Sequence, residues 1–317
     1  MAPQERSPSF QRHADRFARE MRGPAAAGGE RKLTRVLDSS PEGPELQSGD
    51  YIYRALNGAP MVGFRWRLSG SPENLRRRMG ADWDPDAGGG SDGVNAYFES
   101  YRKAVVDPRD VPASLSVKLG KAAAAARASV EALLAKVARD TSSPSAAAKK
   151  ELAGLLSAPV WPWRVAVVGE GVEGGLPHTV HDVIVLPQAA LATKSLDDLA
   201  SLLVHEATHV FQRMRPVRAS KILERDFGFV PARRDGGDGL DDEVSGLVRI
   251  NPDTDALRWA KKDPGGGLRL LPVPVFVKGK GFRDVELVHG EPGILQLPGE
   301  HPKEVMAYAW QGWARRG

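Results

Sequence analysis

Cysteine is absent from the 317 residues of this chain. Disulfide bonds, thiolate zinc ligands and cysteine-based catalysis are therefore excluded. Long apolar runs are also absent, since no segment approaches the roughly 18 apolar residues of a membrane-spanning helix. The Met-Ala-Pro-Gln-Glu-Arg start is followed by no apolar segment of a secretory signal. We expect an intracellular protein, with the cytoplasm as its default location and no membrane partner.

Recognisable nucleic-acid-binding modules are missing as well. The formal net charge is +4 with a pI near 9.3, and the positive residues are scattered. Without interleaved aromatic residues, such groups are typical of solvated surface, so no nucleic-acid partner is expected. The paired or tripled basic residues lie at 76–78, 233–234, 261–262 and 315–316.

Histidine is scarce, with seven in the chain, but two of them stand four residues apart in the run His-Glu-Ala-Thr-His. On a helix, His205 and His209 project from the same face with Cβ atoms about 6 Å apart, which suits two ligands of one tetrahedral ion. Zinc lowers the pKa of a bound water toward about 7, and Glu206 lies where it can accept the remaining proton. The pattern predicts a zinc hydrolase with one zinc ion. The alternative is a pair of core histidines with ordinary hydrogen bonds.

The sequence around this run favours a helix between strands. Ser195 begins a pattern that resembles a capping box, and apolar residues follow at helical spacing until Pro216. Two β-branched runs, at 163–168 and 182–186, predict strands, and the second ends about eight residues before the helix. An exposed strand edge there would pair with an extended peptide and hold its carbonyl near the metal. Alternatively, both strands are simply core.

Five stretches together resemble the zincin-type metallopeptidases of giant viruses and microalgae, over roughly residues 160 to 313. They are Gly-Leu-Pro-His-Thr at 175–179, Asp-Val-Ile-Val-Leu at 182–186, Leu-Val-His-Glu-Ala-Thr-His-Val-Phe-Gln-Arg at 203–213, Asn-Pro-Asp-Thr-Asp at 251–255 and His-Pro-Lys-Glu-Val-Met-Ala-Tyr at 301–308. The resemblance implies a zincin-like domain, with a small mixed sheet and an active-site helix, that cleaves peptide or protein substrates. It suggests the glutamate-ligand (gluzincin) branch, in which a later Pro-x-Glu-x-x-Ala-Tyr-like run supplies the third ligand. Here that glutamate is Glu304.

A catalytic zinc ion is usually held by three protein ligands, with water in the fourth position. Since the two histidines supply only two of these ligands, a third protein ligand is expected. Pro302 fits the first position of a helix, which places Glu304 near the amino end. A glutamate there also serves as a cap or offsets the helix dipole. The rival ligands are His301, His289 and Glu243. A histidine ligand would change the zincin branch and leave the reaction unchanged.

Other polar residues have less defined roles. Donors that could stabilise a developing oxyanion are Tyr308, His289, Arg249 and His178, each with a surface or hydrogen-bonding role as the alternative. The run of Asn, Pro, Asp, Thr and Asp at 251–255 predicts an Asx-type turn involving Asp253 and Asp255.

We predict an α+β protein with three parts. Residues 1–31 are expected to be a disordered tail containing a short helix at 9–21. Residues 32–157 are expected to form a mixed and helical accessory region that scaffolds the catalytic part, and residues 158–317 the zincin-like catalytic domain. Within the accessory region we predict strands at 51–53 and 62–68, and helices at 94–106, 114–139 and 146–156. Residues 215–300 are predicted to be an insertion that loops out and returns, so that Glu304 meets His205 and His209.

The functional prediction is a zinc-dependent peptidase in which His205, His209 and Glu304 bind zinc and Glu206 is the general base. Two alternatives stay open: a catalytically inactive zincin-fold binding module, and a zinc hydrolase of a non-peptide amide.

Overall fold

The computed structural model describes residues 44–79, 90–139, 149–150, 163–169, 171–231, 247–254, 259–262, 265, 267–278, 280–288 and 301–315. The predicted tail at 1–31, with its helix at 9–21, lies outside the described residues. So does the helix predicted at 146–156, apart from residues 149–150, which are helical. The described residues form a mixed α and β structure, which confirms the predicted α+β class.

Helices and strands follow in a mixed order along the chain. The helices are α1 (Gly49–Leu56), α2 (Val62–Ser69), α3 (Pro72–Met79), α4 (Gly90–Ala104), α5 (Ala113–Arg139), α6 (Gln188–Thr193), α7 (Leu196–Met214), α8 (Pro216–Phe227) and α9 (Pro302–Arg315). The strands are β1 (Glu45–Leu46), β2 (Arg164–Val168), β3 (His178–Val180), β4 (Val183–Pro187), β5 (Phe229–Pro231), β6 (Trp259–Lys262), β7 (Leu268–Leu270), β8 (Val273–Phe276) and β9 (Val285–Val288).

The central sheet has four strands in the order β1, β2, β4, β3, of which the first three are parallel and β3 is antiparallel. The predicted strands at 163–168 and 182–186 are confirmed as β2 and β4. Both are buried on both faces, which explains their continuous apolar sequences. Successive side chains alternate, so Val165 and Val167 enter one core cluster while Ala166 and Val168 enter the other.

Helices therefore cover the sheet on both sides. The first cluster joins the sheet to α5, α7 and α9, and the second joins it to α1, α2, α3 and α4. The metal-motif helix α7 packs against both α9 and α5. The helix predicted at 114–139 is confirmed as α5, and that at 94–106 as α4 with slightly earlier bounds.

The accessory region and the predicted catalytic domain share this sheet and its core. Strand β1 pairs with β2 in parallel, and Val105 forms a bridge with Val168. Since these pairs join residues before 157 to residues after 158, the described parts of the two regions belong to one folded unit.

The predicted strands at 51–53 and 62–68 are wrong, because both segments are helical, in α1 and α2. In α1, Ser48 caps the amino end and Ile52, Ala55 and Leu56 bury one helical face. The β-propensity of the Tyr-Ile-Tyr run is overridden because helical spacing lets these three residues face the sheet together. In α2, Phe64 and Leu68 are likewise one turn apart and buried.

The expected solvation of the basic group at 76–78 is also wrong for two of its three residues. The Arg78 side chain is fully buried and pairs with the buried Glu173, and the Arg77 side chain is only 6% exposed. Arg77 donates to the Val277 backbone oxygen at 3.0 Å. These arginines connect α3 to distant segments.

The described part of the predicted insertion at 215–300 contains α8, a three-stranded sheet ordered β5, β6, β7 and the hairpin of β8 and β9. After this segment, the chain forms helix α9, which packs against α7. Within the described residues, no helix is both long and apolar enough to cross a membrane.

Candidate metal centre

The histidine pair lies on a well-defined helix. Ser195 caps α7, and its hydroxyl accepts a hydrogen bond from the Asp198 amide at 3.1 Å, as the sequence predicts. The helix ends at Met214, and Pro216 begins α8. His205 and His209 are 7% and 1% exposed, so both face the interior.

The glutamate comes from α9. Pro302 is the first residue of this helix, as predicted, and the His301 ring accepts a hydrogen bond from the Lys303 amide at 3.3 Å. Further along, Trp310 is fully buried, and its ring centroid lies 5.3 Å from that of Phe211 on α7. This packing brings the first turn of α9, with Glu304, against the histidine pair.

Three potential ligand atoms form a nearly equilateral triangle. His205 Nε2 and His209 Nε2 are 3.2 Å apart, and Glu304 Oε2 lies 3.3 Å and 3.2 Å from them. Ligands at about 2.0–2.1 Å from a tetrahedral ion are separated by about 3.3–3.4 Å. The triangle therefore has the spacing of three corners of a tetrahedron around one metal ion. The predicted meeting of Glu304 with His205 and His209 is therefore present in the structure.

Two amide side chains orient these groups. Gln212, 1% exposed and one turn after His209, donates to the Lys303 backbone oxygen at 2.9 Å. Its oxygen lies 3.0 Å from His209 Nδ1 and accepts that proton, which leaves Nε2 facing the triangle. Asn251 Nδ2 donates to Glu304 Oε1 at 3.1 Å. For His205 Nδ1, the described residues offer no hydrogen-bond partner.

The electrostatics of the centre favour a positive charge between its carboxylates. Burial lowers the pKa of His209, but the charges of Glu304 and Asp253 outweigh it and raise that pKa to about 10. Burial raises the pKa of Glu304, but the charge of His209 and the hydrogen bonds of His205 and His209 hold it well below its usual range. A carboxylate that stays ionised in a buried site is suited to bind a cation.

Glu206 is buried next to this triangle. The residue is 3% exposed, and its Oε2 has no hydrogen-bond partner among the described residues. Burial and the charge of Asp253 raise its pKa well above the usual carboxyl value. One ligand atom from each of Glu206, His209 and Asp253 lies within 4.8 Å of the others. Glu206 is thus a buried acid or base beside a potential metal site, and one of its two oxygens has no hydrogen-bond partner in the described part of the chain.

Asp253 is the buried carboxylate that sequence reasoning missed. The predicted Asx-type turn is confirmed at Asn251, whose Oδ1 accepts from the Asp253 amide at 2.8 Å, and Asp255 lies outside the described residues. The Asp253 carboxylate accepts from the Thr179 amide at 2.8 Å and faces Arg213 at 3.6 Å. Gln212 was missed as well. Its position three residues after His209, on the same helical face, was the available signal.

The other candidates are placed differently. The His178 ring contacts the Tyr101 hydroxyl at 2.5 Å and the Leu176 backbone oxygen at 2.8 Å, so both of its nitrogens have structural partners. The Tyr308 ring packs edge-on against the His205 ring, with the two ring centroids 4.5 Å apart. Tyr308 is 52% exposed, so it lies between His205 and the solvent.

Of the rival ligands, His301 does not join the metal triangle, and its ring centroid lies 6.1 Å from that of Trp259, edge-on. For Arg249, a candidate oxyanion donor, the backbone amide donates to the Pro274 oxygen at 2.8 Å. His289 and Glu243 lie outside the described residues.

The predicted exposed edge, at which the strand at 182–186 would pair with an extended peptide, is wrong. That strand is β4, which lies inside the sheet between β2 and β3. Strand β3 occupies this edge instead, and the amide of its central residue, Thr179, donates to Asp253. An extended peptide cannot use this amide unless Asp253 is displaced.

Comparison with known proteins gives no match: no family model, no curated protein and no solved structure is significantly similar to this chain.

Proposed function

We propose that this protein is a zinc-dependent hydrolase of the zincin type that cleaves peptide bonds. One observation carries the proposal: His205, His209 and Glu304 converge with separations of 3.2–3.3 Å, and an oxygen of the buried Glu206 lies within 4.8 Å of a ring nitrogen of His209. Two histidines, a carboxylate and an open fourth corner are the donor set of catalytic zinc sites.

The arrangement of the sheet supports the zincin assignment. The sequence resemblance implies a small mixed sheet together with an active-site helix. The described structure has such a sheet, with one antiparallel edge strand, and the helix α7 follows its last strand after the short helix α6.

Each residue then has a defined role. His205, His209 and Glu304 would hold the ion, which supplies a Lewis acid and lowers the pKa of a bound water toward about 7. Glu206 accepts the proton of the attacking water and passes it to the leaving nitrogen. Burial and the charge of Asp253 raise the pKa of Glu206 above that of an ordinary carboxyl group, which makes its carboxylate a stronger base. Gln212 holds His209 with Nε2 toward the ion.

A second candidate function is hydrolysis of a non-peptide amide by the same residues. The specific observation in its favour is the hydrogen bond from the Thr179 amide to Asp253, which occupies a backbone donor that an extended peptide would use on β3. A small amide needs no strand pairing.

The proposal is tested with zinc-loaded protein and a peptide mixture, with cleavage followed by mass spectrometry. Glu206→Gln is expected to keep the fold and the zinc while nearly all hydrolysis is lost, because an amide cannot accept the proton. The control is Glu131→Gln on α5, where the side chain is 54% exposed, and it should cleave like wild type. Wild-type turnover by Glu206→Gln would refute the mechanism. Cleavage of small amides without any peptide cleavage would favour the second function, and zinc binding without hydrolysis would favour a binding module.

A further inference from the structure

The orientation of Glu304 depends on an amide from a distant part of the chain. Asn251 Nδ2 donates to Glu304 Oε1 at 3.1 Å, while Oε2 faces the nitrogens of His205 and His209. A carboxylate that is hydrogen-bonded through one oxygen presents the other oxygen in a fixed direction. Asn251 therefore fixes which way Glu304 faces.

The direction of the Asn251 amide is itself fixed by its own turn. Its Oδ1 accepts the backbone proton of Asp253 at 2.8 Å. Because the oxygen is engaged in this Asx turn, the amino group is the part of the side chain that is left to face Glu304.

The segment that carries this turn, residues 247–254, is tied to the N-terminal helices. Asn74 on α3 is fully buried. It donates to the Val248 oxygen at 2.8 Å and accepts from the Ile250 amide at 2.9 Å. Arg67 on α2 donates to the Thr254 oxygen at 2.9 Å. The backbone of the segment is thus held on both sides of Asn251.

Helix α7 and strand β3 hold segment 247–254 from the opposite side. Arg213 on α7 donates to the Pro252 oxygen at 2.8 Å, and the Thr179 amide on β3 donates to Asp253 at 2.8 Å. The segment is therefore fixed between the N-terminal helices and the elements that carry the histidine pair.

We propose that Asn251 is a positioning residue for Glu304, and that the N-terminal helices contribute to the metal centre through segment 247–254. This inference rests on the proposed function, since it assumes that Glu304 binds zinc. It gives the N-terminal region a specific role, which is to hold the residue that orients the third ligand.

The test is zinc affinity, measured by competition with a chromophoric chelator. In Asn251→Ser, the serine hydroxyl can replace the amide oxygen as the acceptor in the turn, but the serine side chain is too short to reach Glu304. We expect its zinc affinity to fall by about 10- to 100-fold, the usual effect of losing such an outer partner. The melting temperature of the metal-free protein should stay near the wild-type value. The control, Thr254→Ala, removes only a 3.3 Å bond to the Asn251 backbone oxygen in the same segment, and it should bind zinc like wild type.

A second variant, Asn251→Asp, keeps the turn acceptor and has no donor. Its readout is the visible absorption of the cobalt-loaded protein, which reports ligand geometry and is expected to change. Wild-type zinc affinity in Asn251→Ser together with an unchanged cobalt spectrum in Asn251→Asp would overturn this inference and leave the proposed function intact. Equal losses of zinc affinity and of metal-free stability in Asn251→Ser and Thr254→Ala would also overturn it, because the role would then be structural only. A wild-type protein that binds no zinc would instead refute the proposed function, and this inference with it.

Discussion

The buried pair of Arg78 and Glu173 gives a stability prediction that depends on the described fold. Arg78 donates two parallel hydrogen bonds to Glu173, from Nε to Oε1 at 2.7 Å and from Nη2 to Oε2 at 2.8 Å. The two side chains are 0% and 4% exposed. Arg78 also donates to the Ile250 backbone oxygen, next to Asn251, so the pair supports the segment that reaches the metal centre.

Removing one partner leaves the other buried without an opposing charge, which costs about 3–5 kcal/mol of unfolding free energy. We expect this loss for Glu173→Gln, because the Arg78 guanidinium cannot lose its proton. Arg78→Met should cost a similar amount, although methionine retains apolar contact with Phe64 and Phe282. The double variant should lose less than the sum of the two, with a coupling of about 2 kcal/mol or more, since no buried charge is left unpaired.

The assay is urea unfolding followed by tryptophan fluorescence. The control, Arg127→Met on α5, breaks a pair with Glu131 in which the two side chains are 31% and 54% exposed, and it should cost about 0.5 kcal/mol or less. Losses below about 1 kcal/mol for both Arg78→Met and Glu173→Gln, or losses that simply add in the double variant, would show that the two buried charges do not stabilise each other.

Two further predictions concern His209 and Asp182. Gln212→Leu should weaken zinc binding by about 10- to 100-fold in a chelator competition, because His209 Nδ1 loses its acceptor, and unchanged affinity would contradict the assigned orientation. For Asp182, burial raises the pKa, but the hydrogen bond and charge of His181 and the charge of Arg164 lower it to about 2, against an ordinary value of 3.8. A carboxyl group with a lowered pKa stabilises the fold at pH values above its ordinary pKa, and this stabilisation is lost as the pH falls toward about 2. Asp182→Asn should therefore cost about 2 kcal/mol of unfolding free energy at neutral pH and progressively less between pH 4 and 2. Urea unfolding at several pH values measures this, and a pH-independent difference between wild type and variant would count against it.

The elements that could be predicted from sequence are those whose signals are local. Helix α7 has a cap at Ser195, apolar residues at helical spacing and a proline just beyond its end, so its bounds follow from neighbouring residues. Strands β2 and β4 are continuous β-branched runs because both of their faces are buried. The approach of Glu304 to the histidines was expected mainly from the resemblance, since spacing along the chain does not determine which helices pack together.

The features that could not be predicted depend on contacts between distant residues. The segments at 51–53 and 62–68 have the composition of strands and become helices because their buried residues, at helical spacing, enter one shared core cluster. Arg78 looks like a surface residue in sequence, and only the fold brings Glu173 to it. Asn251 and Asp253 form a turn that is predictable locally, whereas their contacts with Glu304 and Thr179 arise only when three separate parts of the chain come together.

Elemental analysis of zinc in the purified wild type and in four single variants tests whether these residues bind zinc, with Glu131→Ala as a control on the exposed side of α5. We expect about one zinc ion per chain in wild type, in Glu206→Gln and in the control. We expect a sharp loss in His205→Ala, His209→Ala and Glu304→Ala, because each removes one corner of the ligand triangle. Undiminished zinc in any of these three variants would contradict the ligand assignment of that residue, and a wild-type protein that binds no zinc would contradict the proposed zinc-dependent function.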